Sequence, residues 1–253
     1  MPSIADIRRR LTPLIDPSYK TFVDVLQPGV TNRLGVRMPD VRKVAGDILK
    51  EDPKAFLNAV FESPQHLETQ EMRLVTAIVI GRAALTIEER LVCLTRLLPY
   101  LDGWVTTDLT GGEMKVFRRR HPALTACLKG LLRSHRPTDV RLALVILLNH
   151  YKTAERIPEA LSLVESAAVH KLAREDYLVS MALAWMAAAF YVVLPETLEA
   201  RLLDSLRRGR LDALTLSRAL QKIRDSRAVA SSQKAALTAR FSEVFARRTG
   251  NLA

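Results

Sequence analysis

Residues 122–151 read PALTACLKGLLRSHRPTDVRLALVILLNHY, two apolar helix-like runs that each open on a proline and are separated by a short basic break. Pro122 and Pro137 stand where a first helical turn accepts proline, because the N–H that proline lacks has no intrahelical partner there. The second run is apolar almost all round, so it reads as a helix buried on every side. The same punctuation extends outward in both directions. Ser3 can cap IADIRRRL, Asp52 can cap PKAFLNAVFE, and Thr86 with Glu89 forms a capping box ahead of LVCLTRLLPYL. Pro39 and Pro53 mark further first turns, and Pro195 is expected to end one long apolar helix before ETLEARLLDSL begins.

Strand signals hardly appear, so the class is all-α. Helices in series with brief connections predict stacked helix pairs, with a period of about 35 to 45 residues, close to that of HEAT-like repeats. The expected architecture is a superhelical solenoid of HEAT-like antiparallel helix pairs, forming one domain over residues 1–253. A compact irregular bundle is the competing arrangement, because no repeated word aligns between the pairs. Tyr177 to Leu194 reaches the lower length limit of a membrane span, but its acidic flanks and many alanines predict a buried central helix. The first residues, MPSIADIRRRL, lack the apolar stretch of a signal peptide. Cys93 and Cys127 make neither a disulfide framework nor a metal pair, which predicts a reducing, intracellular setting.

Lys and Arg number 38 against 27 Asp and Glu, a net charge of +11. Two windows hold all of it. Residues 118–136 carry six basic side chains and no acid, and residues 201–227 carry eight against three, which leaves the rest of the chain balanced. A charge concentrated in this way reads as the footprint of a polyanion such as nucleic acid.

Phosphate-loop, dinucleotide, zincin and hydrolase-elbow motifs are all missing from the sequence, and the five histidines are scattered. Gly111-Gly112 reads more simply as a turn than as a phosphate cradle. The segment Asp102-Gly-Trp-Val-Thr-Thr-Asp108 carries more chemistry. On a helix, Trp104 and Asp108 at i and i+4 share a face, which sets an aromatic surface beside a carboxylate. A core tryptophan with an aspartate capping the next turn is the plainer alternative. The second tryptophan, Trp185, lies in the alanine-rich helix, where small neighbours let another surface approach. Arg141 leads the apolar run and is expected at a surface or rim, where it can hold a phosphate bidentately.

Taken together, Leu34-Gly-Val-Arg-Met-Pro-Asp-Val-Arg-Lys43, Trp104-x-x-x-Asp108, Val140-Arg-Leu-Ala143, Ala184-Trp185 and Pro195 resemble the AlkD-type DNA alkylation repair family over most of the chain. Arg218-Ala-Leu-Gln-Lys-Ile-Arg-Asp-Ser-Arg227 is similar to the C-terminal signature of a bacterial branch of it. The resemblance implies a HEAT-like solenoid whose basic concave face holds duplex DNA. It also implies a monofunctional glycosylase that releases N3- and N7-alkylated purines without a closed base-holding pocket. Asp108 would stabilise the oxocarbenium-like sugar and position water, Trp104 and Trp185 would pack on the deoxyribose, and Arg141 would bind the adjacent phosphate. Arg118, Arg133, Arg136, Lys222, Arg224 and Arg227 are the expected further DNA contacts. No cofactor, metal or membrane is implied, and the expected form is a cytoplasmic, nucleoid-associated monomer. One departure is the stretch Met186-Ala-Ala-Ala189, where the family carries basic or polar residues. The alternative functions are binding of duplex or branched DNA without catalysis, and a helical scaffold for a protein partner.

Overall fold

Helices begin where the sequence supplies an oxygen to receive their first N–H groups. In the computed structural model, Ser3, Asp16, Asp52, Thr69, Thr86, Ser166, Asp176 and Asp212 each accept a backbone N–H from the turn that follows. The structure describes residues 3–30 and 32–250, with only the backbone of Ala167 and of residues 243–250. Among these the fold is all-α: fifteen α-helices and a single isolated antiparallel bridge between Ile15 and Val36, with no strand.

The chain divides into two compact units, residues 1–130 and 131–253. The first holds α1 (Ile4–Leu11), α2 (Pro17–Leu26), α3 (Met38–Lys50), α4 (Pro53–Val60), α5 (Gln70–Arg82), α6 (Ile87–Leu97) and α7 (Trp104–Glu113), with α8 (Pro122–Leu132) ending at the boundary. Here α5 is central, buried over its whole circumference, and packs against α3 on one side and α7 on the other. This alternation, in which every second helix joins one layer, is the packing of HEAT-like pairs.

Two glycines permit the closest approaches in this unit. At Gly35 φ is +94°, and an added Cβ would meet the Lys20 Cβ at 2.6 Å and the Asp16 carbonyl oxygen at 2.9 Å, so only glycine lets the loop before α3 lie on α2. At Gly81, an added Cβ would meet the Glu113 Cβ at 2.6 Å and its carbonyl oxygen at 2.7 Å, so this glycine lets the end of α7 touch α5. The carbonyls at the end of α5 are received by Arg90 of α6, which donates to Ile80 and, at 2.8 Å, to Ala83.

The second unit holds α9 (Pro137–His150), α10 (Ile157–Val164), α11 (Ala167–Glu175), α12 (Tyr177–Tyr191), α13 (Pro195–Arg207), α14 (Ala213–Asp225) and α15 (Ser231–Gly250). Its centre is α12, packed between α9 and α14 with α11 and α13 alongside. The long apolar helix ends at Tyr191 rather than at Pro195, which instead occupies the first position of α13. Among the described residues no helix is long and apolar enough to cross a membrane.

Candidate functional site

In the first unit, Trp104 opens α7 and Asp108 follows one turn later. The threonines between and after them are buried and bond back along the helix itself. Thr107 donates its hydroxyl to the Gly103 carbonyl at 2.6 Å, and Thr110 donates to Thr106 at 2.6 Å. Both ends of α7 are tied down by charge. Asp102, just before the helix, pairs with the buried Arg73 of α5. Glu113, in its last turn, accepts from Arg82 of α5 at 2.8 Å and from Arg42 of α3 at 2.8 Å. Burial pushes the Glu113 carboxyl up, and the two guanidiniums more than offset it, leaving it below the ordinary range.

The other face of α7 borders a cleft of about 350 Å³, which both Trp104 and Asp108 line. The expected juxtaposition of ring and carboxylate is therefore present. Trp104 is 40% exposed and Asp108 is half-buried, so the plainer picture of a core tryptophan is set aside. The cleft is a feature the sequence reading lacked, since it foresaw no pocket here. Its opposite wall comes from α2, where Tyr19 is half-buried and Phe22 is largely exposed.

Between these walls the cleft is lined by Arg33, Val36 and Met38 of the segment before and at the start of α3, and by Gln70 and Glu71 of α5. The carboxylate of Glu71, itself buried, accepts the backbone N–H groups of Leu34 at 2.9 Å, Gly35 at 2.8 Å and Val36 at 3.2 Å. Beside it, the Nε of Arg33 donates to Gln70 at 2.7 Å, and its guanidinium pairs with Asp24 of α2. Glu71 and Gln70 sit inside a continuous helical run, and no sequence signal ties them to a loop more than 30 residues earlier.

In the second unit, Trp185 projects from the middle of α12 and is 40% exposed. Met186, Ala187 and Ala188 are buried, so the uncharged residues after Trp185 face the core and have a packing reason. Arg141 departs from expectation. It is only 6% exposed, not at a rim, and its Nη1 donates to the Leu178 carbonyl of α12 at 2.7 Å. It follows that Arg141 ties α9 to the helix that carries Trp185. A small apolar cavity of about 70 Å³ lies behind that helix, lined by Ala184, Ala187 and His170 among others.

The basic windows are unequal. Arg118, Arg133 and Arg136 are exposed, and Arg136 lies 3.7 Å from Asp139. In the second window, Arg201 pairs with Glu165, Arg208 with Asp204 at 2.8 Å, and Arg210 with Asp204 at 3.5 Å, so part of its charge is neutralised internally. Lys222 and Arg227 are exposed, and Arg224 is half-buried and donates to Gln221 at 2.7 Å. As site residues the sequence did not single out Tyr177 and Arg218, which make a cation–π contact across α12 and α14. The described residues contain no group of three His, Cys, Asp or Glu placed to hold a metal ion. Both cysteines are free and half-buried, and burial pushes the Cys127 thiol up to about 11, which makes it a poor nucleophile near neutral pH.

A family model described as DNA alkylation repair enzyme matches residues 7–223. None of the curated proteins matches the chain.

Proposed function

Because the chain belongs to the DNA alkylation repair enzyme family, we propose that it is a monofunctional glycosylase, acting as a cytoplasmic monomer on N3- and N7-alkylated purines in duplex DNA. The observation that carries this reading is the pairing of Trp104 and Asp108 on one face of a helix anchored at both ends, at the border of an open cleft. An alkylated purine carries positive charge, so its glycosidic bond is weakened before the enzyme acts. As the bond breaks, positive charge develops on the sugar. A carboxylate fixed beside that charge stabilises it more than a mobile one, because its orientation is set before the reaction. Asp108 has that role and also orients the attacking water. Trp104 offers an electron-rich ring face to the developing cation, and Trp185, in the second unit, offers its own ring face to the DNA.

Arg118, Arg133, Arg136, Lys222, Arg224 and Arg227 supply phosphate contacts. Arg141, which donates to the Leu178 carbonyl, is assigned to the phosphate beside the lesion.

The test is release of 7-methylguanine and 3-methyladenine from methylated duplex DNA under single-turnover conditions. Asp108→Asn should slow release by about 10²- to 10³-fold while affinity for undamaged DNA is retained. Equal release by the variant would reject the carboxylate mechanism. The second reading, DNA binding without excision, is favoured by the burial of Arg141. It predicts no release from the wild type alongside salt-sensitive binding.

A further inference from the structure

Three side chains where α12 meets α14 form an arrangement that the catalytic reading does not use. Arg218, in the second turn of α14, lays its guanidinium over the ring of Tyr177, with Cζ 4.9 Å from the centroid. Its Nη1 donates to the Ser180 hydroxyl oxygen at 2.6 Å. Ser180 is fully buried and also lies 2.7 Å from the Thr215 hydroxyl, which is buried as well. One face of the guanidinium is thereby covered by an aromatic ring, and one nitrogen is held by a hydroxyl pair in the interface between α12 and α14.

A latch between two helices would explain this much, but two further facts go beyond it. First, Arg201, Arg208 and Arg210 of the same basic window each have a carboxylate partner. Among the described residues, Arg218 has none, and its other N–H groups meet no acceptor although the side chain is half-exposed. Second, its neighbours are exposed and of the matching kind. Lys222 follows one turn later on α14, and on α12 the exposed Tyr177 precedes the exposed Trp185 by eight residues. Eight residues rise about 12 Å along the helix, the axial span of three to four base steps at about 3.4 Å each. A planar guanidinium, stacked and held at one nitrogen, loses little freedom when it grips two phosphate oxygens.

We propose that Arg218, held by Tyr177 and Ser180, is a phosphate clamp for the backbone of the duplex whose sugar meets Trp185. The inference rests on the DNA reading above and adds a contact which that reading did not contain.

The experiment measures binding of a short, undamaged, fluorescein-labelled duplex to the full chain over a series of salt concentrations. Each phosphate contact contributes about 0.9 to the slope of log affinity against log salt. Arg218→Gln should lower that slope by about that amount and weaken binding roughly tenfold at low salt. Arg208→Gln, whose partner is Asp204, should leave both nearly unchanged. Tyr177→Leu retains the charge and releases the guanidinium, so affinity should fall with the slope kept. Arg218→Lys should behave in the same way, because a point charge replaces the fork. These two variants decide the matter if Arg218→Gln melts early by circular dichroism. A slope for Arg218→Gln equal to that of the wild type, or full affinity in both conservative variants, overturns the clamp and leaves DNA binding standing. A wild type whose weak binding is flat with salt overturns both.

Discussion

Removing the Glu71 carboxylate would strip the acceptor from three backbone N–H groups at once, those of Leu34, Gly35 and Val36. A buried donor left unmatched costs about 1–3 kcal/mol, so Glu71→Ala should lose roughly 3 kcal/mol or more in urea unfolding. Glu71→Gln keeps one acceptor oxygen and should lose less. The loop that Glu71 holds lines the cleft at Val36, so the alanine variant should also weaken activity without touching Asp108. His170 gives a second residue-scale expectation. Burial lowers its pKa, the Arg174 and Arg210 charges act in the same direction, and Asp212 opposes them. The unfolded chain therefore takes up a proton near the ordinary value of about 6.5, while the folded chain resists it. It follows that this group's stabilising contribution is complete above that pH and is lost as pH falls below it. Melting temperatures at mildly acidic and neutral pH should differ less in His170→Gln than in the wild type.

At the scale of the element, the contact between α5 and α7 positions Trp104 and Asp108, and two glycines test it by contrast. Gly81→Ala would drive a Cβ into the Glu113 backbone and should cost about 1–3 kcal/mol. Gly46, inside α3, has nothing within 4 Å of an added Cβ, so Gly46→Ala should gain about 0.5–1 kcal/mol. Thermal melts of the two variants should therefore move in opposite directions. Helix starts were legible in the sequence because a cap is a local event: Ser3, Asp52 and Thr86 act where their neighbours predict. The facing of a helix was legible only where one stripe is polar. In α9 almost every position is apolar, so nothing local said that Arg141 would turn inward to the Leu178 carbonyl. The residues after Trp185 were opaque for the same reason. Their lack of charge reflects burial in the core, which the sequence cannot distinguish from a lost surface.

Over the whole molecule, the charge reading survives in part. The first basic window is exposed at Arg118, Arg133 and Arg136, whereas the second is partly spent on Glu165 and Asp204. Asp204 lies inside the window and its pairing was readable; Glu165 lies 36 residues before Arg201, on a different helix, and its pairing was not. The cleft beside Asp108 was equally hidden, because α2, α3, α5 and α7 meet there from distant parts of the chain. Each unit also carries a single tryptophan, and the two are equally exposed, at 40%. The protein therefore contains one intrinsic fluorophore per unit. Trp104→Phe leaves the second unit as the sole emitter, and Trp185→Phe leaves the first. Both variants should emit at long wavelength and be quenched readily by acrylamide. When duplex DNA is added, the Stern–Volmer constant should fall for both. A fall in only one would show which half of the chain lies against the nucleic acid, read by light from a residue already in place.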